Sequence, residues 1–103
     1  PLSGLNFTDP SLSPVNATHM RLQMGMEGRN NSPSDISNCS AQLQVFNSTG
    51  ALVGDGVASF SLMRGPFSET FEVLIPIDSA PSRLAVTIAV EGFEIGTFEK
   101  EVP

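Results

Sequence analysis

Six asparagines occur in this chain, and five of them open the triplet Asn-x-Ser/Thr: Asn6-Phe-Thr, Asn16-Ala-Thr, Asn30-Asn-Ser, Asn38-Cys-Ser and Asn47-Ser-Thr. Only Asn31 fails, because Pro33 stands where the hydroxyl residue is required. With 19 Ser and Thr among 103 residues, chance alone gives about one such triplet. The side-chain amide of an Asn in this setting is the acceptor for N-linked carbohydrate, a modification of exported chains. Asn6, Asn16, Asn30, Asn38 and Asn47 are therefore candidate glycosylation sites, and the expected location is extracellular or in the lumen of the secretory pathway. The competing reading is an Asn/Ser/Thr-rich loop composition that produces the triplet by accident.

The single cysteine lies inside one of these triplets. An odd cysteine in an exported chain is a bridge to another molecule, a bridge to a segment elsewhere in a longer chain, or a buried inert thiol. Strand phase selects the last. Cys39, Ala41, Leu43 and Val45 fall on one face of an alternating run, and Asn38, Ser40, Gln42 and Gln44 on the other. The apolar face is the core face, where Cys behaves as a small hydrophobe. The same phase turns Asn38 toward solvent. No basic residue lies near Cys39 in sequence to make a reactive thiolate.

Other chemistry-bearing residues do not assemble into a site. His19 is the only histidine and lies on a polar strand face; with one Cys and one His the chain cannot build a zinc cluster alone. Gly54-Asp-Gly56 shares a fragment with calcium loops but lacks the repeated Asp/Asn and closing Glu, and reads as a hairpin turn. Glu91, Glu94, Glu99 and Glu101 form a solvated acidic face rather than a paired acid and base. No phosphate-binding glycine loop or nucleophile elbow occurs. Trp and Tyr are absent, which removes the usual platforms for stacking on sugars. The expectation is no enzyme, no cofactor and no metal.

Composition bounds the partners. Net charge is −6, with only five Lys and Arg. A phosphate-backbone binder needs clustered basic residues, so nucleic acid is excluded as a partner. A polybasic contact with anionic lipid is excluded on the same ground, so any membrane association would run through a tether outside this chain. The acidity serves solubility, with collection of divalent cations as the sharper reading. No apolar run approaches the length of a membrane helix. The chain has the size of one domain spanning residues 1–103, and its start at Pro1 with no leader marks it as a processed fragment or one module of a larger protein.

The elements that must carry these residues follow a period of two. Residues 18–27 place Met20, Leu22, Met24 and Met26 on one side and His19, Arg21, Gln23, Gly25 and Glu27 on the other. The methionine stripe reads as core filling, with a soft binding surface as its alternative. A loop at Gly28–Asp35 leads to a strand over 36–46. A turn at Asn47–Gly50, a short strand at 51–53 and the turn at 54–56 precede a strand over 57–62. Residues 67–77 put Phe67, Phe71, Val73, Ile75 and Ile77 together, with Pro76 marking an edge or strand end. Leu84, Val86, Ile88 and Val90 form the next face. A last strand starts with Phe93 and Ile95 and changes phase at Gly96, which predicts a bulge. Leu5 and Phe7 give the N-terminal segment an apolar side, with Asn6 outward. About seven strands and no amphipathic helix make the fold class all-β, an antiparallel β-sandwich of immunoglobulin-like architecture.

The order of these features resembles the late embryogenesis abundant group-two family, the WHy-type domain. The resemblance runs over nearly the whole chain: Pro1-Leu-Ser-Gly-Leu-Asn6, Met20 to Met26, Asn30-Asn-Ser-Pro33, Ile36 to Phe46, Gly50 with Gly54 and Gly56, Phe60-Ser-Leu62, Gly65-Pro66 and Phe71 to Ile77. It departs at Asn31-Ser-Pro33, where the family has Asn directly before Pro. A short immunoglobulin-like or FxLYD-like sandwich fits the same pattern. The resemblance implies a non-enzymatic sandwich with protective roles and lipid contact, and no catalytic residues.

The functional expectation is a non-catalytic, N-glycosylated structural or interaction module whose partners are other proteins or copies of itself. Its N-terminal segment is a candidate for strand addition to a neighbour. The alternative is a sandwich that binds lipid or another apolar ligand between its sheets.

Overall fold

A computed structural model describes residues 2–103. The described residues form eight strands: β1 (Leu2–Phe7), β2 (Ser11–Pro14), β3 (His19–Asn30), β4 (Ile36–Asn47), β5 (Leu52–Leu62), β6 (Gly65–Pro76), β7 (Pro81–Val90) and β8 (Phe93–Glu101). They form two antiparallel four-stranded sheets packed face to face as a sandwich. In the first, β3 pairs with β6 on one side and with β1 and β2 in succession on the other. The second has the order β5-β4-β7-β8.

The alternation of side chains explains the layering. β3 and β6 pair without a register break from His19↔Pro76 to Asn30↔Gly65. Because the period is unbroken, Leu22, Met24 and Met26 meet Phe71, Val73 and Ile75 on one buried face. From the second sheet, Cys39, Ala41, Leu43 and Val45 of β4 and Leu84, Val86 and Ile88 of β7 complete the interior. The methionine stripe is thus core: Met24 and Met26 are buried, and Met20 packs against the cluster. Pro76 ends the edge strand β6, where its missing N–H costs no ladder bond.

Two expectations change. Gly54-Asp-Gly56 is not a turn but part of the first half of β5, paired with Val45, Gln44 and Leu43. A Cβ on Gly54 would stand 2.5 Å from Ile75 Cγ2, so glycine is required there for β5 to lie close against β6 across the sandwich. The dipeptide turn signal and the close-approach signal are identical in sequence. Ile77 falls beyond the end of β6 and is exposed rather than part of the core face. The N-terminal segment contributes two strands, and both pair with β3 of the same chain. In this conformation it fills its own sheet rather than standing free as a donor.

The bulge expected at Gly96 is present. Ile88 pairs with Gly96 and Ala89 with Glu94, which leaves Ile95 as the extra residue. A second bulge in β4 lies between Ile36 and Cys39 and puts Asn38 in the left-handed region at φ 59°.

Candidate functional site: acceptor asparagines and an apolar cleft

The five candidate acceptors do not converge. Asn16 and Asn47 sit in turns at one end of the sandwich, Asn30 and Asn38 toward the other, and Asn6 on β1. Their local chemistry explains much of the triplet pattern. Asn16 Oδ1 accepts the Thr18 and His19 backbone N–H groups and the Thr18 hydroxyl, each at 2.9 Å. Asn47 Oδ1 accepts the Thr49 N–H at 3.1 Å, the Thr49 hydroxyl at 2.7 Å and the Ala51 N–H at 3.0 Å. An Asn with a hydroxyl residue two positions on is what such a side-chain-capped turn uses. In both turns the carbonyl oxygen is engaged, and no bond from the amide nitrogen, the atom that would carry a sugar, is found among the described residues. Asn38 is exposed, and its amide suits the left-handed bulge position. Asn6 is exposed and reaches Glu27 only at 3.5 Å.

Asn30 differs. It is 1% exposed. Its Oδ1 accepts the Ser32 N–H at 3.0 Å and the Ser32 hydroxyl at 2.7 Å. Its Nδ2 donates to the Ser34 carbonyl at 3.2 Å and the Leu62 carbonyl at 3.1 Å. The residue clips the β3–β4 loop to the end of β5, and its amide nitrogen has no room for a sugar in the folded domain. Unlike the exposed Asn6, Asn16 and Asn38, this candidate acceptor is buried.

Cys39 is 2% exposed, and it is a free thiol packed among the core residues. Burial pushes its thiol pKa up, which keeps it protonated and unreactive. The His19 ring shares a hydrogen bond with the neighbouring Thr18 hydroxyl, at 2.8 Å. The C-terminal glutamates do not pair with one another: Glu99 meets Arg83 at 2.9 Å. Among the described residues, no three His, Cys, Asp or Glu side chains are grouped to hold a metal ion. No helix is long and apolar enough to cross a membrane.

One feature was not singled out from the sequence. A cleft of about 350 Å³ opens between the sheets where β1 and β8 face each other. Leu2 and Leu5 line it from β1, Ile36 from β4, Val90 from β7, and Ile95 and Phe98 from β8. Deeper along β8 the gap is closed by Phe7 against Phe98, ring centroids 4.7 Å apart, and by Lys100 reaching Asp9 at 3.5 Å. At the open end the β7–β8 hairpin turns tightly through Glu91 (φ 52°) and Gly92 (φ 84°). This turn presents Phe93, 78% exposed, directly across the ladder from Val90 of the cleft. β8 is also the last strand of its sheet, so one of its two backbone edges is unpaired. The signal in the sequence was the phase change at Gly96: the bulge at Ile95 absorbs it and leaves Phe93 opposite Val90, on the side of the strand that carries Phe98.

No family model matches the sequence, and no curated protein matches it by sequence. Among solved structures, a β-glucuronidase of glycoside hydrolase family 2 superposes with a TM-score of 0.68 at 14% identity, over 92% of this chain but only 11% of that one. A protein from Arabidopsis thaliana solved in solution gives 0.67 at 14% identity, covering 99% of this chain and 82% of that chain. A protein from Archaeoglobus fulgidus gives 0.61 at 13% identity, over 98% and 94%. These likenesses show the fold. The chain spans about a tenth of the glycoside hydrolase, in which the matching part is one small sandwich domain.

Proposed function

We propose that this chain is a non-catalytic assembly module of an exported glycoprotein, and that its working surface is the apolar end formed by the β1–β8 cleft and the β7–β8 hairpin. The observation that carries this reading is the pairing of a knob and a hole in one patch. Phe93 stands 78% exposed next to a cleft lined by six apolar side chains. A patch holding both parts is self-complementary, which is what a two-fold contact between identical chains requires. The occupant is a second copy of this chain, each Phe93 entering the other's cleft. Isolated exposed apolar residues are ordinary, but a contiguous patch continuing into a cleft marks a contact site. Concentration-dependent NMR shifts test this: they belong at Leu2, Leu5, Phe93 and Ile95. Shifts spread over both sheets, or none at millimolar concentration, would overturn it.

Carbohydrate on Asn6, Asn16, Asn38 and Asn47 belongs to the same reading, supported by amide nitrogens that face solvent or are free of backbone bonds. Asn30 is structural in it. Peptide mapping of native material is expected to find sugar on some of these four and none on Asn30. Bare asparagine at all four would remove the export half of the proposal.

The second reading is an apolar-ligand sandwich of the late embryogenesis abundant group-two type. The cleft favours it, since about 350 Å³ between two sheets accommodates part of an acyl chain. Saturable uptake of a fluorescent fatty acid, abolished by Ile95→Glu, would support it over self-contact.

A further inference from the structure

The chain carries eleven acidic and five basic side chains, so every Arg and Lys has a surplus of carboxylates to choose from. Three take one: Arg21 meets Glu72 at 3.3 Å, Arg83 meets Glu99 at 2.9 Å and Lys100 meets Asp9 at 3.5 Å. The other two, Arg29 and Arg64, have no carboxylate partner among the described residues. Both line one polar hollow of about 270 Å³, together with Asn30, Asn31, Ser32 and Gly65.

The fold puts them there. Arg29 lies at the end of β3 and pairs with Pro66, and Asn30 pairs with Gly65, so Arg64 arrives beside Arg29 as the chain enters β6. Gly65, at φ 88°, makes the corner between the sheets. The backbone of Arg64 is held by its N–H donating to Asp35 Oδ1 at 2.7 Å, and its guanidinium reaches the Pro33 carbonyl at 3.5 Å. The floor is fixed by the Asn30 and Ser32 bonds already described, and Asn31 Nδ2 donates to Ser3 Oγ at 2.8 Å. Arg29 and Arg64 are both exposed at the rim of this hollow, and neither guanidinium is committed to a carboxylate among the described residues. Guanidinium groups are the residues of choice for gripping a tetrahedral oxyanion through two-pronged hydrogen bonds.

We propose that this hollow is a binding site for a phosphate or sulfate group, gripped by Arg29 and Arg64. The Asp35 carboxylate and Glu27, two residues before Arg29 on its strand, limit the affinity and select a compact, strongly charged group. The site is independent of the apolar end and stands or falls separately from it.

The test is an NMR titration of isotope-labelled protein with inorganic phosphate, inorganic sulfate and methyl phosphate, each against sodium chloride at matched ionic strength. Saturable shifts are expected at residues 29–32 and 63–65. Arg29→Gln and Arg64→Gln each weaken binding by about tenfold or more, as expected for loss of a charged hydrogen bond. Arg29→Lys, which keeps charge but loses the fork, gives an intermediate loss and guards against a folding artefact. Tighter binding of methyl phosphate than of the free ions assigns the group to a larger ester; the reverse assigns a free ion. Shifts that chloride reproduces, that fail to saturate, or that survive both Gln variants unchanged overturn the proposal.

Discussion

Gly54 and Asn30 show how single residues decide local structure that their neighbours in sequence do not announce. Gly54 reads as turn chemistry next to Asp55 and Gly56, yet it faces Ile75 across the sheets, where a methyl would collide at 2.5 Å. Gly54→Ala is expected to cost about 1–3 kcal/mol, the usual range for overpacking a filled interior, measured as a fall in the denaturant midpoint at unchanged slope. Gly56, whose added Cβ would meet Val73 only at 3.7 Å, is the control and should tolerate alanine far better. Asn30 reads as one acceptor among five, and only its two carbonyl partners, one of them 32 residues away at Leu62, reveal its role. Asn30→Ala strands the buried Leu62 carbonyl and removes the half-buried bonds to Ser32 and Ser34, and should destabilise by about 1–3 kcal/mol. Equal stability of Asn30→Ala and Asn16→Ala would show that the buried network is not what holds the loop. Cys39, by contrast, was legible because alternation alone assigns it to the core, and no long-range partner is needed to place it.

At the level of strands, what repeats is what the sequence reveals. The faces of β3, β4, β6 and β7 follow from alternation, since each is buried on one side and a one-residue slip would invert it. What escapes is everything decided by a partner strand. β2 has four residues, and its pairing with Gln23 to Met20 cannot be inferred from Ser-Leu-Ser-Pro alone. The bulge was visible in β8 as a change of parity, but its consequence was not: the extra residue Ile95 brings Phe93 opposite Val90, so Phe93, Ile95 and Phe98 come to the same side of the strand despite their different parity. The hairpin before it carries a cost. Glu91 sits at φ 52°, a conformation that side chains other than Gly and Asn disfavour. Glu91→Asn is therefore expected to stabilise the domain by about 0.5–1 kcal/mol. A thermal scan in which this variant melts below the wild type would show that Glu91 makes a compensating contact.

The whole molecule is a sandwich with two unlike sides. Along β5 and β6 the sheets close through Gly54 against Ile75; along β1 and β8 they are held by Phe7 on Phe98 and then part at the cleft. The open side was hidden in the sequence, since Leu2, Leu5, Ile36, Val90, Ile95 and Phe98 come from four strands and meet only in the folded state. A net charge of −6 opposes close approach of two copies, so contact through the apolar end should strengthen with added salt as that repulsion is screened. Self-association through this end is read by sedimentation equilibrium of the wild type beside Phe93→Ser and Ile95→Ser. The wild type is expected to show a monomer–dimer equilibrium that tightens with salt, with both variants at least about tenfold weaker, the penalty for losing a buried aromatic or branched anchor. A wild type that remains a monomer at millimolar concentration in high salt, or variants that dimerise as strongly as it does, would contradict the account.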